Sequence, residues 1–268
     1  MNNLKLEAIL NEKLSPQLIK DYSPNGLQVE GASEIKKVIT GVTASQALID
    51  YAVSVEADAV LVHHGYFWKG EPEPIRGMKG KRIRTLIKND VNLFGYHLPL
   101  DIHPELGNNA RLAELLDIEV IDGLEGHPQS VAMFGKLATP MTGADFAAKI
   151  AKTLNREPLH IAPDMADKLI EPLVGVQAVV KITLSLLRQK AWMRLFRERS
   201  LSARPTQHAN SIFTISLQDI MQPSAMALRR WVNGWLKSMD STLNLRISII
   251  RFNDEQTKKE QPRLLFCF

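Results

Sequence analysis

The sequence predicts an α/β fold built on a mainly parallel sheet with flanking helices, and three observations carry that expectation. Apolar strand-like runs alternate with amphipathic helix-like runs from residue 3 to about residue 118. The strand-like runs are continuously apolar rather than alternating, as in strands covered on both faces. The chain has 268 residues, 45% of them hydrophobic, which supports one large or two ordinary α/β domains.

Each element follows from its local pattern. Residues 3–14 place Leu4, Leu6, Ile9, Leu10 and Leu14 at helical spacing, and "NGLQVEG" is a short strand bounded by glycines. "KKVITGVTAS" reads as a buried strand, "SQALIDYAVSVEA" as a helix capped by Thr43 or Ser45, and "ADAVLVHHG" as a second buried strand. "GMKGKRIRTLIKND" gives another helix, "VNLFGYHLPLD" a third strand, and "NNARLAELLDI" a helix entered through Asn108 or Asn109. A smaller α/β segment follows, with "MFGKLATP" as strand, "TGADFAAKIAKTLN" as a helix capped by Thr142, and "PLHIAP" as strand. Beyond it, only residues 179–205 keep a helix-like, strongly basic character.

Composition narrows the function classes. No run approaches the roughly 20 uncharged apolar residues of a membrane-spanning helix, and the first 14 residues are too charged for a signal peptide, so a cytoplasmic protein is expected. The lone cysteine, Cys267, excludes an internal disulfide framework and a cysteine metal cage. A metal would therefore be held by His and carboxylate.

The net charge of +4 conceals a break. Residues 1–171 carry 18 Lys and Arg against 23 Asp and Glu, whereas residues 172–268 carry 15 against 6. Thirteen of the 15 glycines also precede residue 172.

In parallel sheets ligands gather at the carboxyl ends of the strands. His63 and His64 end one predicted strand, and His97 and Asp101 end the next. Successive strand residues face opposite ways, so the strand must bend or stop for both histidines to reach one site, and Gly65 permits a bend. Imidazole with carboxylate suits zinc, iron, manganese or nickel. His63, His64 and Asp101 are the candidate ligands, with His97 behind them as an orienting group or proton shuttle. Against this stands the plain alternative that "HH" is an ordinary turn. Tyr66, Phe67 and Trp68 read as wall packing, "MKGKRIR" as a solvated helix face, and His103, His127 and His160 as structural.

"DYSPNGLQVEG", "VTASQALIDYAV", "ADAVLVHHGYFWKG" and "YHLPLDIHPELGNNA" together resemble the Nif-three-like dinuclear metal-centre family, also described as GTP cyclohydrolase 1 type 2 homologues. The resemblance covers about the first 170 residues. It implies a two-domain α/β fold, assembly as a toroidal homo-hexamer, and two divalent metal cations per subunit. His63, His64 and Asp101 fall on the family's metal ligands, and His97 on the His of its His-x-x-x-Asp element. The implied activity is metal-dependent hydrolysis of a nucleotide-like or other heterocyclic small molecule. A non-catalytic metal-binding or ring-forming scaffold is the alternative.

The resemblance fails in the tail. The family completes its site with a His and a Glu four residues apart, but the only histidine after His160 is His208, followed by Ser211, Ile212 and Phe213 where a carboxylate is required. A shifted reading frame supplies the missing residues. Joining the last base of each codon to the first two of the next forces Ala across Met221-Gln222 and Gly across Met226-Ala227, and "DIMQPSAMA" then permits His-His-Ala-Thr-Glu-Arg-His-Gly. The same register forces Asp across Trp192-Met193 and Gly across Trp231-Val232. The expected organisation is an N-terminal metal-binding domain over residues 1–125, the start of a second α/β segment over 126–171, and a frameshifted, non-native basic tail over 172–268. Such a chain is expected to be impaired in function and prone to misfold. Nucleic-acid binding by the basic tail is discounted, because the frameshift accounts for its charge.

Overall fold

The computed structural model describes residues 1–123, 130–155, 157–161, 173–176, 212–216, 246–249 and 263–267. The expected basic helix over 179–205, His127 and His208 lie outside the described residues. The chain divides into two units, one of residues 1–107 with 224–258, the other of 108–223 with 259–268.

The first unit holds a five-stranded sheet in the order β1 (Gly26–Val29), β4 (Asn92–Gly95), β3 (Ala59–His64), β2 (Lys37–Thr43), β10 (Arg246–Ile249). Its strands pair in parallel except β1, which is antiparallel to β4, so the sheet is mainly parallel as expected. Successive residues along β2, β3 and β4 divide between two cores because side chains alternate across a sheet. Val38, Ala59, Leu61 and Phe94 pack with Leu6, Leu10 and Leu14 of α1 (Asn3–Leu14). Ile39, Val60, Val62 and Leu93 pack with Leu48 and Ile49 of α2 (Gln46–Ser54) and Ile83 and Leu86 of α3 (Gly77–Lys88). Both faces are covered, which explains the unbroken apolar runs. Close packing of α2 depends on Gly41, where a Cβ would lie 2.4 Å from Leu48 Cδ2.

Capping fixes where helices begin. Asn2 accepts from the Leu4 and Lys5 amides at the start of α1, and Ser45, the second of the two expected candidates, accepts from the Leu48 amide. The strand expected through "VNLFGYHLPLD" stops at Gly95, and α4 (Leu98–Ile102) takes its last residues. Pro99 occupies the first turn, where its missing N–H costs nothing, and the His97 carbonyl accepts from the Leu100 and Asp101 amides. Asp101 therefore belongs to a helical turn rather than to a strand end.

In the second unit, β5 (Ile118–Gly123), β6 (Ala132–Leu137), β8 (Leu173–Val176), β11 (Arg263–Cys267), β9 (Ile212–Ser216) and β7 (Leu159–Ile161) form a six-stranded sheet in that order. All its pairings are antiparallel. Leu112 and Leu116 of α5 (Asn108–Leu116) form a core with Leu137 and with Phe146, Ile150 and Leu154 of α6 (Gly143–Leu154). Thr142 caps α6 through the Asp145 amide, as its sequence indicates. No helix among the described residues is long and apolar enough to cross a membrane.

Candidate metal centre

The strand β3 ends at the two histidines. His63 continues the side of the strand carrying Ala59 and Leu61, His64 the side carrying Val60 and Val62, and the strand's end lets their rings approach to 4.4 Å between centroids. The neighbouring strand β4 delivers His97 beside them, its ring centroid 5.1 Å from that of His63 and 5.8 Å from that of His64. The three histidines offer ligand atoms within 4.8 Å of one another. Asp101, fully buried, places Oδ1 3.5 Å from His63 Nε2. All four residues singled out from the sequence thus meet in one place, with the His97 ring beside those of His63 and His64 in the cluster.

Gly65 follows the pair for a reason other than a bend. Its φ is not in the left-handed region, but a Cβ there would lie 2.1 Å from Gln28 Oε1. Gln28 fills that space because its Oε1 accepts from the Tyr66 amide at 2.7 Å and its Nε2 donates to the Pro24 carbonyl at 2.7 Å.

Each ring has its Nδ1 engaged. His63 Nδ1 lies 3.1 Å from the Tyr96 carbonyl, His64 Nδ1 lies 3.1 Å from Thr43 Oγ1, and His97 Nδ1 lies 2.7 Å from Asp21 Oδ1. A carbonyl and a carboxylate only accept, so in the neutral rings of His63 and His97 Nδ1 carries the proton and Nε2 the lone pair. The Thr43 hydroxyl, which both donates and accepts, engages His64 Nδ1 without setting its tautomer. Ligating histidines commonly use their second nitrogen so. Three imidazoles and a buried carboxylate therefore fit a divalent cation of the zinc, iron or manganese kind.

The electrostatics differ from ring to ring. Burial pushes the His64 pKa well below its ordinary value, and the neighbouring His63 and His97 push the same way. Burial also lowers that of His63, against the opposing charge of Asp101. Burial works against the His97 imidazolium too, but the Asp21 hydrogen bond, with the charges of Asp101 and Asp21, outweighs it and raises the pKa. The surroundings thus favour the neutral, ligating form of His63 and His64, whereas His97 holds its proton more tightly than an ordinary imidazole.

The aromatic run divides its duties. Tyr66 is buried and donates its hydroxyl to the Ala44 carbonyl at 2.6 Å, which is the expected wall packing. Trp68 stands edge-on to His97, with centroids 4.8 Å apart, and forms an aromatic side of the cluster. His103 is structural, accepting from the Glu105 and Leu106 amides. Sequence reasoning did not single out Asp21 or Asn25, and named Thr43 only as a candidate helix cap. The first two sit in the "DYSPN" stretch, which carried only family resemblance.

Residues 1–172 match the family described as Duf34/NIF3 (NGG1p interacting factor 3). A Vibrio cholerae protein named GTP cyclohydrolase 1 type 2 homolog is 72% identical over 171 residues, covering 64% of this chain and 68% of its own length. The Haemophilus influenzae protein of that name is 68% identical over 159 residues, 59% of this chain and 63% of its own length. The fold is similar to that of a solved protein of unknown function, ybgI, with TM-score 0.71 and 36% identity over 94% of this chain and 98% of that one. A Staphylococcus aureus hypothetical protein shares the fold alone, at TM-score 0.69 and 15% identity, over 97% of this chain and 99% of its own. With its motifs, its mainly parallel first sheet and the match over residues 1–172, the chain belongs to the Duf34/NIF3 family.

Proposed function

We propose that the chain is a divalent-metal-binding hydrolase of the cytoplasm acting on a nucleotide-like or other heterocyclic small molecule. The observation that carries this reading is the convergence of His63, His64 and His97, each with its Nδ1 engaged by a neighbouring group. A cation held there supplies Lewis-acid polarisation and an acidified water. Around it, Asp101 adds negative charge, and the Trp68 ring offers an apolar surface to a flat heterocycle. The name shared by the relatives supports a nucleotide-like substrate class. Metal analysis of the purified chain, followed by a panel of nucleotides assayed with graded metal loading, tests this. Hydrolysis that rises with loading is expected, and a loaded protein that turns over none of the panel favours the scaffold alternative.

The compositional break supports a second element of the proposal, that residues from about 172 onward are translated in a shifted frame. The family match ends at residue 172 and the Vibrio match spans 171 residues at 72% identity, where charge and glycine usage also change. Such a chain keeps His63, His64, His97 and Asp101 but lacks the partner ligands of a dinuclear centre, so fewer than two cations should bind tightly. Two tight cations per chain would refute this, and resequencing that finds one intact frame would remove the frameshift. Assembly into a toroidal homo-hexamer is proposed for the intact protein. Light scattering beside a frame-corrected chain tests that assembly.

A further inference from the structure

We infer that Asp21 is a positioning residue of the metal centre, locking the His97 ring with Nδ1 protonated and Nε2 turned to the cluster. The inference deepens the metal-binding reading and rests on it for its effect on affinity, but its structural core does not require a metal.

The three histidines are not held alike. At Nδ1, His63 leans on a backbone carbonyl and His64 on a hydroxyl, both neutral, whereas His97 has a carboxylate there, at 2.7 Å. Charge-assisted bonds are shorter and stronger than neutral ones. Asp21 and His97 are both nearly inaccessible, with side chains 3% and 8% exposed, so water competes little for the contact.

The carboxylate is itself immobilised. Its Oδ2 accepts from the Leu98 amide at 2.8 Å and from Asn25 Nδ2 at 2.9 Å, while Oδ1 accepts from the Tyr22 amide besides His97. Asn25 returns to the same place, its Oδ1 accepting from the His97 amide at 2.7 Å. Asp21 and Asn25 therefore grip the ring of His97, its amide and the next amide together. An isolated structural carboxylate would need only to cap the Leu98 amide. The added contact to Nδ1 fixes which nitrogen faces the cluster and makes that nitrogen a better donor.

The test uses the full chain and Co²⁺ as probe. Asp21→Asn removes the charge and turns one amide face toward donors. It should weaken Co²⁺ binding about 10- to 100-fold, the usual cost of losing such a partner. In a His97→Ala background the same substitution should change affinity by less than about twofold, since contacts acting through one residue are not additive. Unchanged affinity in Asp21→Asn, or an equal loss in both backgrounds, would overturn the inference. A proton NMR spectrum of the metal-free wild type gives an independent reading that needs no variant to fold except as an assignment control. A downfield, exchange-protected ring N–H that vanishes in His97→Ala supports the lock, and its absence refutes it. If the wild type binds no Co²⁺, the metal-binding reading fails, while that resonance still decides whether Asp21 fixes His97.

Discussion

Asn92→Leu removes polar chemistry from the first unit while nearly preserving volume, and the structure sets the cost. Asn92 is fully buried at the start of β4. Its Oδ1 accepts from the Gly31 amide at 3.0 Å and from Asn3 Nδ2 at 3.3 Å, and its Nδ2 donates to the Ala32 carbonyl at 2.8 Å and the Asp58 carbonyl at 3.0 Å. The Asp58 carbonyl keeps the Asn92 amide, and Asn3 Nδ2 keeps Glu30. Leucine therefore strips the Gly31 amide and the Ala32 carbonyl of the bonds Asn92 supplied. Gly31 and Ala32 are half-buried, so the lower end of the usual range of about 1–3 kcal/mol applies to each orphaned group, and the loss is about 2 kcal/mol. Urea unfolding followed by circular dichroism measures it. Metal affinity should stay within about twofold, because Asn92 begins the strand whose far end leads to His97. A loss below about 1 kcal/mol would refute the accounting, and a parallel loss of metal binding would refute the separation of the two strand ends.

Other expectations concern the site itself. Although burial opposes it, the hydrogen bond and charge of His97 hold Asp21 at about 2 against an ordinary 3.8, so its stabilisation is full above pH 3.8 and is lost as pH falls toward 2. His97 is raised above 6.5, so its share is full below that pH and is lost as pH rises through its folded value. In chelated protein the stability advantage over Asp21→Asn should peak between those limits at about 2 kcal/mol, and an advantage independent of pH would contradict the assignment. Gly65→Ala forces a methyl against Gln28 Oε1 and should cost about 1–3 kcal/mol in thermal unfolding while weakening metal binding. An unchanged transition would show that Gln28 moves freely.

Local signals carried the helices well. The Leu6, Leu10 and Leu14 spacing gives α1, and Ser45 and Thr142 mark the starts of α2 and α6 because caps act within three residues. The five-residue α4 is too short to show a helical period, and its apolar residues resemble a strand continuing past Gly95. β5 was missed for a related reason. Glu119, Val120, Ile121 and Asp122 are all exposed at the edge of their sheet, so burial imposes no alternation on them.

The sequence by itself determined the α/β class, the mainly parallel pairing of the first sheet and the placing of His63, His64 and His97 where successive strands end. Those depend on periodicity and on residues close together in the chain. Only the tertiary structure decided that the His97 ring joins those of His63 and His64 in one cluster, and that Asp21, 76 residues away along the chain, holds its ring. A hydrogen bond between side chains leaves no local periodic trace. It exists because β1 and β4 pair antiparallel and bring the turn before one strand to the end of the other.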